Sequence, residues 1–588
     1  MLIAITGCGS DPDSAPTSSA SEEGESIGNP DKLLWGDLHV HSNLSFDSNS
    51  FGNENLGPDI AYRFARGEEV TASSGTKVKL SRPLDFLMVA DHSEYLGVLP
   101  AVRSGSKDIL DSELGRRWSR FFNDDSDIGK ITSDYVDMAT RVKPIDRVSR
   151  DFERSSWEKQ IDIAERFNKP GEFTTFAGYE WTSMPGGRNL HRVVMFRDGP
   201  DLTKKVLPFS ALDSDEPEDL WTYLAAYEED TGGQVMAIAH NGNLSNGLMF
   251  DTKRLGGGKI TAEYSAERMR WEPVYEVTQV KGDGEAHPLL SPDDRFADFE
   301  NWDETDISMV PRSVDEAEQR RTLEGEYARS GLKRGLEFAR DIGTNPYEFG
   351  LMGSTDSHTA LSTSDSDNFW GKFLDSEMTA DRLTNKMGGS LWANRGLTAA
   401  GWTGVWARAN TREEIFAAFK RREVYATTGP RIRLRFFGGW NFAPDDRIGR
   451  SLVEKGYSSG VPMGGKLSGG ASAPTFLVRV LKDPDGANLQ FVQIVKGWVA
   501  ADGSAQEKVF NIGEGPDTGQ SQFSLFWRDQ DFDADSHAFY YVRAIEIPTK
   551  RWTTHDAEKF GLERPADQPE FIRERVYSSP IWYDPSAE

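Results

Sequence analysis

One cysteine, Cys8, is all that 588 residues contain, and that scarcity removes whole classes of chemistry. It leaves no internal disulfide, no thiolate-rich metal site and no iron–sulfur cluster, so any resident metal must be held by His, Asp and Glu. Basic residues are in deficit as well. The chain has 67 Lys and Arg against 94 Asp and Glu, a formal charge of −27, which repels nucleic acid and anionic membranes outside a local basic patch. No nucleic-acid partner is expected, and an anionic substrate needs metal ions and local arginines to overcome the global field. No apolar run is long enough to span a bilayer. No strand-to-helix nucleophile elbow of the Gly-x-Ser-x-Gly kind offers a catalytic serine.

What the chain does have is an uneven distribution of histidine. There are nine: His39, His41, His92, His191, His240, His287, His358, His537 and His555. Six of the first seven fall in compact polar islands at the ends of β-prone runs: Asp37-Leu38-His39-Val40-His41, Asp91-His92-Ser93-Glu94, Asn189-Leu190-His191-Arg192, Ala239-His240-Asn241 and Asp356-Ser357-His358. A strand repeats every two residues, so His39 and His41 share one face, as do Asp356 and His358. Imidazoles and carboxylates gathered this way suit Zn, Fe or Mn, and two cations close together need a shared carboxylate. Glu180, after the run Phe173–Tyr179, is the best placed candidate.

Taken in order, residues 9–30 read as a polar linker with almost no apolar content. Leu2-Ile3-Ala4-Ile5-Thr6-Gly7-Cys8 ahead of it resembles the end of a bacterial lipoprotein signal peptide, with Cys8 as the lipidated residue. It departs from that pattern in being short and lacking a basic start. The resemblance implies a periplasmic or membrane-anchored lipoprotein, the alternative being a cytoplasmic protein with an incidental cysteine. Strands are expected at 33–41, 84–90, 173–180, 190–196, 234–240 and 271–277, and entering 350–358. Residues 101–170 read as largely helical, and 319–341 as one helix. Thr411 and Glu414 form a capping box for a helix at 411–420. This alternation of strand and helix is how a β/α barrel builds a site at its strand ends. From Arg431 the texture changes to short alternating runs separated by Gly- and Asp-rich turns, the pattern of an antiparallel β unit. Three regions follow: a remnant and linker at 1–30, a barrel with insertions at 31–430, and a β-rich unit at 431–588 whose last segment, Tyr577–Tyr583, packs back on the body.

The His-x-His, the Asp-His, the Gly-x-Glu, the strand-end His and the late Asp-x-His, in this order, resemble the PHP (polymerase and histidinol phosphatase) superfamily. The likeness is closer to a bacterial PHP-like group defined only as a domain of unknown function, through Trp35-Gly36-Asp37-Leu38-His39-Val40-His41, Asp91-His92-Ser93-Glu94-Tyr95-Leu96-Gly97, Gly178-Tyr179-Glu180-Trp181-Thr182 and Ser578-Ser579-Pro580-Ile581-Trp582-Tyr583. It implies an α/β fold, a distorted (β/α)7 barrel, with the β-sandwich-like unit attached, and a hydrolase that uses two or three divalent ions (Mn, Zn or Fe). Carried over by residue, His39, His41 and Asp356 bind a first metal. Glu180 bridges it to a second, completed by His191 and His240. His92 and His358, with Asp47, form a third position.

Asp37, Asp91 and Asn241 are expected to orient imidazoles from behind. Arg192 and Lys281 are candidates for holding an anionic oxygen, Asp91 and His287 for moving a proton, and Glu285 for the pocket rim. The expected reaction is attack by a metal-bound hydroxide on a small phosphate ester. A sulfatase, a phosphonate esterase or another metallohydrolase fits the same ligands, and a non-catalytic binding protein using the β unit is the remaining alternative.

Overall fold

The computed structural model describes residues 28–125, 128–141, 143–302, 312–387, 392–449, 451–470 and 472–586. Cys8 lies outside the described residues, and the expected lipid anchor with it. Among the described residues no helix is long and apolar enough to cross a membrane.

Seven strands carry the site. β1 (Lys32–Val40) pairs in parallel with β2 (Phe86–Val89), and β2 with β3 (Thr174–Trp181). β4 (Arg192–Phe196) lies antiparallel between β3 and β5 (Val235–His240). β6 (Val274–Gln279) and β7 (Gly350–Gly353) follow in parallel. All are buried along their length apart from the first two residues of β1, as near-continuous apolar runs covered on both faces require. The end of the row returns to its start. Val40 bridges Ser357 in parallel, the Asp356 amide donates to the His39 carbonyl at 2.8 Å, and the His41 amide donates to the Ser357 carbonyl at 2.8 Å.

β4 departs from the expected alternation of strand and helix. Between β3 and β4 lie one short turn of 3₁₀ helix at Pro185–Gly187 and no α-helix. That connection is too short for a parallel crossover, which needs a dozen residues or more, so β4 runs the other way. Its starting end therefore lies where its neighbours finish, and His191, just before β4, reaches the same rim as Glu180 and His240.

The large sheet continues beyond β1. β8 (Thr403–Ala407) pairs antiparallel with β1, and β9 (Val424–Thr427) with β8. Beyond β9 come Arg575–Ser578, Ala538–Glu546, Leu489–Val499 and Ala505–Glu514 in turn, all antiparallel. A separate four-stranded antiparallel sheet, built on Arg433–Gly439 and Thr475–Leu481, packs against this extension. Phe436, Phe476 and Val478 meet Ile494, Tyr540 and Val542 in one apolar cluster that also includes Trp35, Val89 and Trp402. The fold is mixed α/β, with a large mixed sheet and smaller antiparallel ones.

The single helix expected at 319–341 is two, Glu316–Leu323 and Ala328–Ile342. The amides of Ala328 and Arg329 donate to the carbonyls of Gly284 and Glu285 instead of back into a preceding turn. Gly325 sits against Gly247, where a Cβ would lie 2.1 Å from a backbone oxygen. This break delivers Arg329 to a buried ionic seam. Arg543 donates to Glu285 Oε2 at 3.0 Å and Asp294 Oδ1 at 2.7 Å, while Arg329 donates to Asp294 Oδ2 at 2.9 Å and pairs with Glu285. Glu285, expected at the pocket rim, is instead held in this seam. All four side chains are at most 8% exposed. Breaking such a network strands buried charge. Arg543→Met should therefore cost about 3–5 kcal/mol, read as an earlier thermal transition; an unchanged Tm would show that the seam contributes no stability.

Candidate metal centre

The ends of these strands bring six histidines and four carboxylates into one buried cluster. Glu180, the last but one residue of β3, is its hub. Glu180 Oε1 lies 2.8 Å from His191 Nδ1 and 2.8 Å from His240 Nε2. Glu180 Oε2 lies 3.3 Å from His39 Nε2, 3.1 Å from His41 Nε2 and 3.2 Å from His92 Nδ1. Asp356 Oδ1 closes the other side of the His39 and His41 pair at 3.4 and 3.5 Å. The main chain enters the left-handed region at Asp356, with φ of 54°, a conformation Asp tolerates better than most residues. It turns the chain sharply after β7, so Asp356 and His358 both reach the cluster.

Asp47 serves two purposes. Its Oδ1 accepts from the Ser48 amide at 2.8 Å at the start of the helix Phe46–Ser50. Its Oδ2 lies 2.7 Å from His358 Nε2 and 3.3 Å from His92 Nε2. With its side chain 26% exposed, against 8% or less for the six histidines, Asp47 marks the open side of the cluster.

Electrostatics sort these groups. Burial works against ionising the carboxylates, yet the facing basic groups outweigh it and hold Glu180, Asp47 and Asp356 well below their usual range. For Glu180 these are His92, His240 and His39; for Asp47, His358 and His92; for Asp356, Lys281, Lys372 and His39. Burial also opposes charge on His39, but Glu276, Asp356 and Glu180 raise its pKa well above the imidazole norm. His191 and His358 are pushed by burial down to about 3 and are neutral at physiological pH.

The donor chemistry fits divalent cations. Three groups place one donor atom each within 4.8 Å of one another: His39, His41 and Asp356; His39, Glu180 and His240; and His41, Asp47, His92 and His358. His191 Nε2 and His240 Nδ1 are buried without a hydrogen-bond partner. His39 Nε2 and His41 Nε2 face each other at 3.1 Å between two carboxylates, an arrangement that calls for a proton or a metal ion between them.

A family model described as "Protein of unknown function (DUF3604)" matches residues 28–517 and 514–585. The chain belongs to the DUF3604 family. No curated protein matches it. Among solved structures, a two-domain protein from Bacteroides vulgatus ATCC 8482, described as containing a predicted PHP-like metal-dependent phosphoesterase, is 11% identical. The match covers 87% of this chain and 92% of that one with a TM-score of 0.29, a likeness too loose to bear on fold or chemistry.

In this DUF3604 chain, other residues expected at the site lie elsewhere. Arg192 is buried in an ion pair with Glu272 at 3.1 Å, beneath Trp181, because residues 191 and 192 face opposite sides of β4. His287 packs its ring against Tyr327, and its Nδ1 accepts from the Leu289 amide at 3.1 Å. Asp91 touches no imidazole; it accepts from the Ser42 amide and hydroxyl, both at 2.6 Å, and so fixes the turn after His41. Asp37 likewise accepts from the His39 amide, Thr355 and Ser362, tying β1 to the run after β7. Asn241 accepts from Gln279 at 2.9 Å.

Lys281 does reach the cluster, with Nζ 2.6 Å from Asp356 Oδ2. Two residues that sequence reasoning missed join it. Lys372 Nζ lies 3.1 Å from Asp356 Oδ2 and 2.9 Å from His358 Nδ1. Glu276 Oε2 lies 3.0 Å from His39 Nδ1, leaving His39 Nε2 toward the cluster. The signal for Glu276 was a lone carboxylate inside an apolar strand; Lys372, in a loop, offered none. Carboxylates behind a ligand imidazole set its tautomer and basicity. Glu276→Gln should therefore lower metal affinity by ~10–100-fold, measured as metal retained against a competing chelator; full retention would remove Glu276 from that role.

Proposed function

We propose that this chain is a divalent-metal-dependent hydrolase of small phosphate esters, and that β1–β7, with the exit of β7 against β1, form a distorted PHP-type barrel around its centre. The observation that carries this reading is the set of three donor groups linked through His39 and His41, with Glu180 and Asp356 on either side of that pair. Two or three ions of Mn, Zn or Fe suit imidazole–carboxylate donors. When bound, such cations make a water acidic enough to lose a proton near neutral pH and offset charge growing on the phosphoryl oxygens.

The chain's own residues do the rest. Asp47, the most exposed member, lies where an ester would enter. Lys281, at that cluster but paired only with Asp356 among its carboxylates, is the ammonium best placed to hold a non-bridging oxygen. Lys372, buried to 3% exposure, keeps positive charge against Asp356 and His358. Glu276 and Ser45 keep the rings of His39 and His41 oriented through their Nδ1 atoms, at 3.0 Å each.

The protein should be stripped with a chelator, reloaded separately with Mn, Zn and Fe, and offered aryl phosphates and aryl sulfates. Phosphate hydrolysis that disappears on stripping and returns with one of the metals is the expected result. Turnover of sulfates alone would redirect the reading to a sulfatase, and no turnover with any metal would end the hydrolase reading. Lys281→Met should lower kcat/KM on the responsive ester by ~100-fold while retaining bound metal; unchanged kcat/KM would exclude Lys281 from substrate contact.

A further inference from the structure

A second cavity, of about 280 Å³, lies where the strand row meets the C-terminal sheets, and none of the metal-candidate histidines lines it. Its wall combines the run after β7 (Ser364), the turn after β9 (Pro430), the end of the strand Ala538–Glu546 and the residue preceding Arg575–Ser578, Glu574. Six carboxylates line it against one arginine, one lysine and one histidine. The arginine and the lysine are already engaged, Arg82 with Asp483 and Asp485 and Lys550 with Glu558.

Three buried oxygens in this wall have no hydrogen-bond partner: both carboxylate oxygens of Glu546, and Ser364 Oγ. Glu546 is 1% exposed and Ser364 is fully buried. The Ala487 amide approaches Glu546, yet neither oxygen accepts a bond of ordinary geometry. Glu574, 4% exposed, accepts from Thr428 Oγ1 and from Ser366 Oγ at 3.3 Å, which leaves it partly satisfied but facing other acids. Burial, then Glu574 and Asp483, push Glu546 up to about 9, and burial pushes Glu574 to about 8. Two buried carboxyls kept near one another without a cation are costly. Lys482 near Glu546 and Arg575 near Glu574 offset this only in part, since both carboxyls stay raised.

We propose that this cavity binds one hard divalent cation of the calcium class, held by Glu546, Glu574 and Ser364, and that the ion ties the run after β7 to the C-terminal sheets. The nearby donors favour calcium over softer metals because they are carboxylate and hydroxyl oxygens, and calcium accepts the irregular coordination that three separate chain segments supply.

The test uses the full chain with the histidine centre first loaded with manganese, so that added calcium reports on the second cavity. Calorimetry should find one calcium per chain, and Tm should rise with calcium and level off at that stoichiometry. The double variant Glu546→Gln/Glu574→Gln should bind calcium at least ~10-fold more weakly, since ligand charge sets affinity, and should lose the calcium-dependent rise. In chelator it should melt no lower than wild type, because its two buried acids are gone. Equal calcium binding by wild type and variant, or no shift of wild type at millimolar calcium, overturns the proposal. Should the variant fail to fold, anomalous density from wild-type crystals soaked in calcium decides the question: a peak between Glu546 and Glu574 supports the site, and its absence overturns it.

Discussion

Glu180 is 1% exposed and has nitrogen atoms of five histidines within 3.3 Å. A carboxylate removed from water in this way persists only where cations or donors surround it, since the low local dielectric strengthens both the penalty and its remedy. The rest of the centre answers that constraint. His39 and His41 come from one strand end, His92 from a second, His191 and His240 from two more, and the first three arrive with their own support. Glu276 lies behind His39, Ser45 behind His41 and Thr182 beside His92. The supports matter because an imidazole presents a chosen nitrogen only when the other is engaged.

Two backbone features let the strands deliver these groups to one place. The reversed course of β4 brings His191 to the same end of the row as Glu180. The left-handed turn at Asp356, with Asp37 gripping Thr355 and Ser362 across to β1, brings the late Asp-x-His back against the early His-x-His. Without that grip the two pairs would be neighbours only in composition.

The C-terminal sheets are part of the same physical problem. They extend the sheet from β9, share an apolar cluster with Trp35 and Trp402, and supply Arg543 to the seam that holds Glu285 and Asp294. The run after β7 therefore has the metal-candidate residues at its start and Ser364 of the acidic cavity further on. The hydrogen bond from Ser366 Oγ to Glu574 at 3.3 Å crosses this junction and constrains how that run sits.

Sequence alone determined the pieces governed by local rules. Strand period placed His39 with His41, the cysteine count restricted the donors to His, Asp and Glu, and apolar runs marked the seven strands; Asp356 and His358, expected to share a strand face, lie past the end of β7 and are brought in by the left-handed turn at Asp356. What it left out were relations between distant segments. Glu276 and Lys372 carry no spacing that ties them to a histidine, and Arg192 looked available until the face of β4 turned it to Glu272. Glu285, in a polar glycine-rich stretch, looked like a rim residue until a break in a helix and a strand from the far end of the chain brought two arginines to it. Period and composition act over a few residues, and they set what each segment can offer. Which carboxylate meets which cation is settled by burial and Coulomb forces that act through space, so only the tertiary structure decided it.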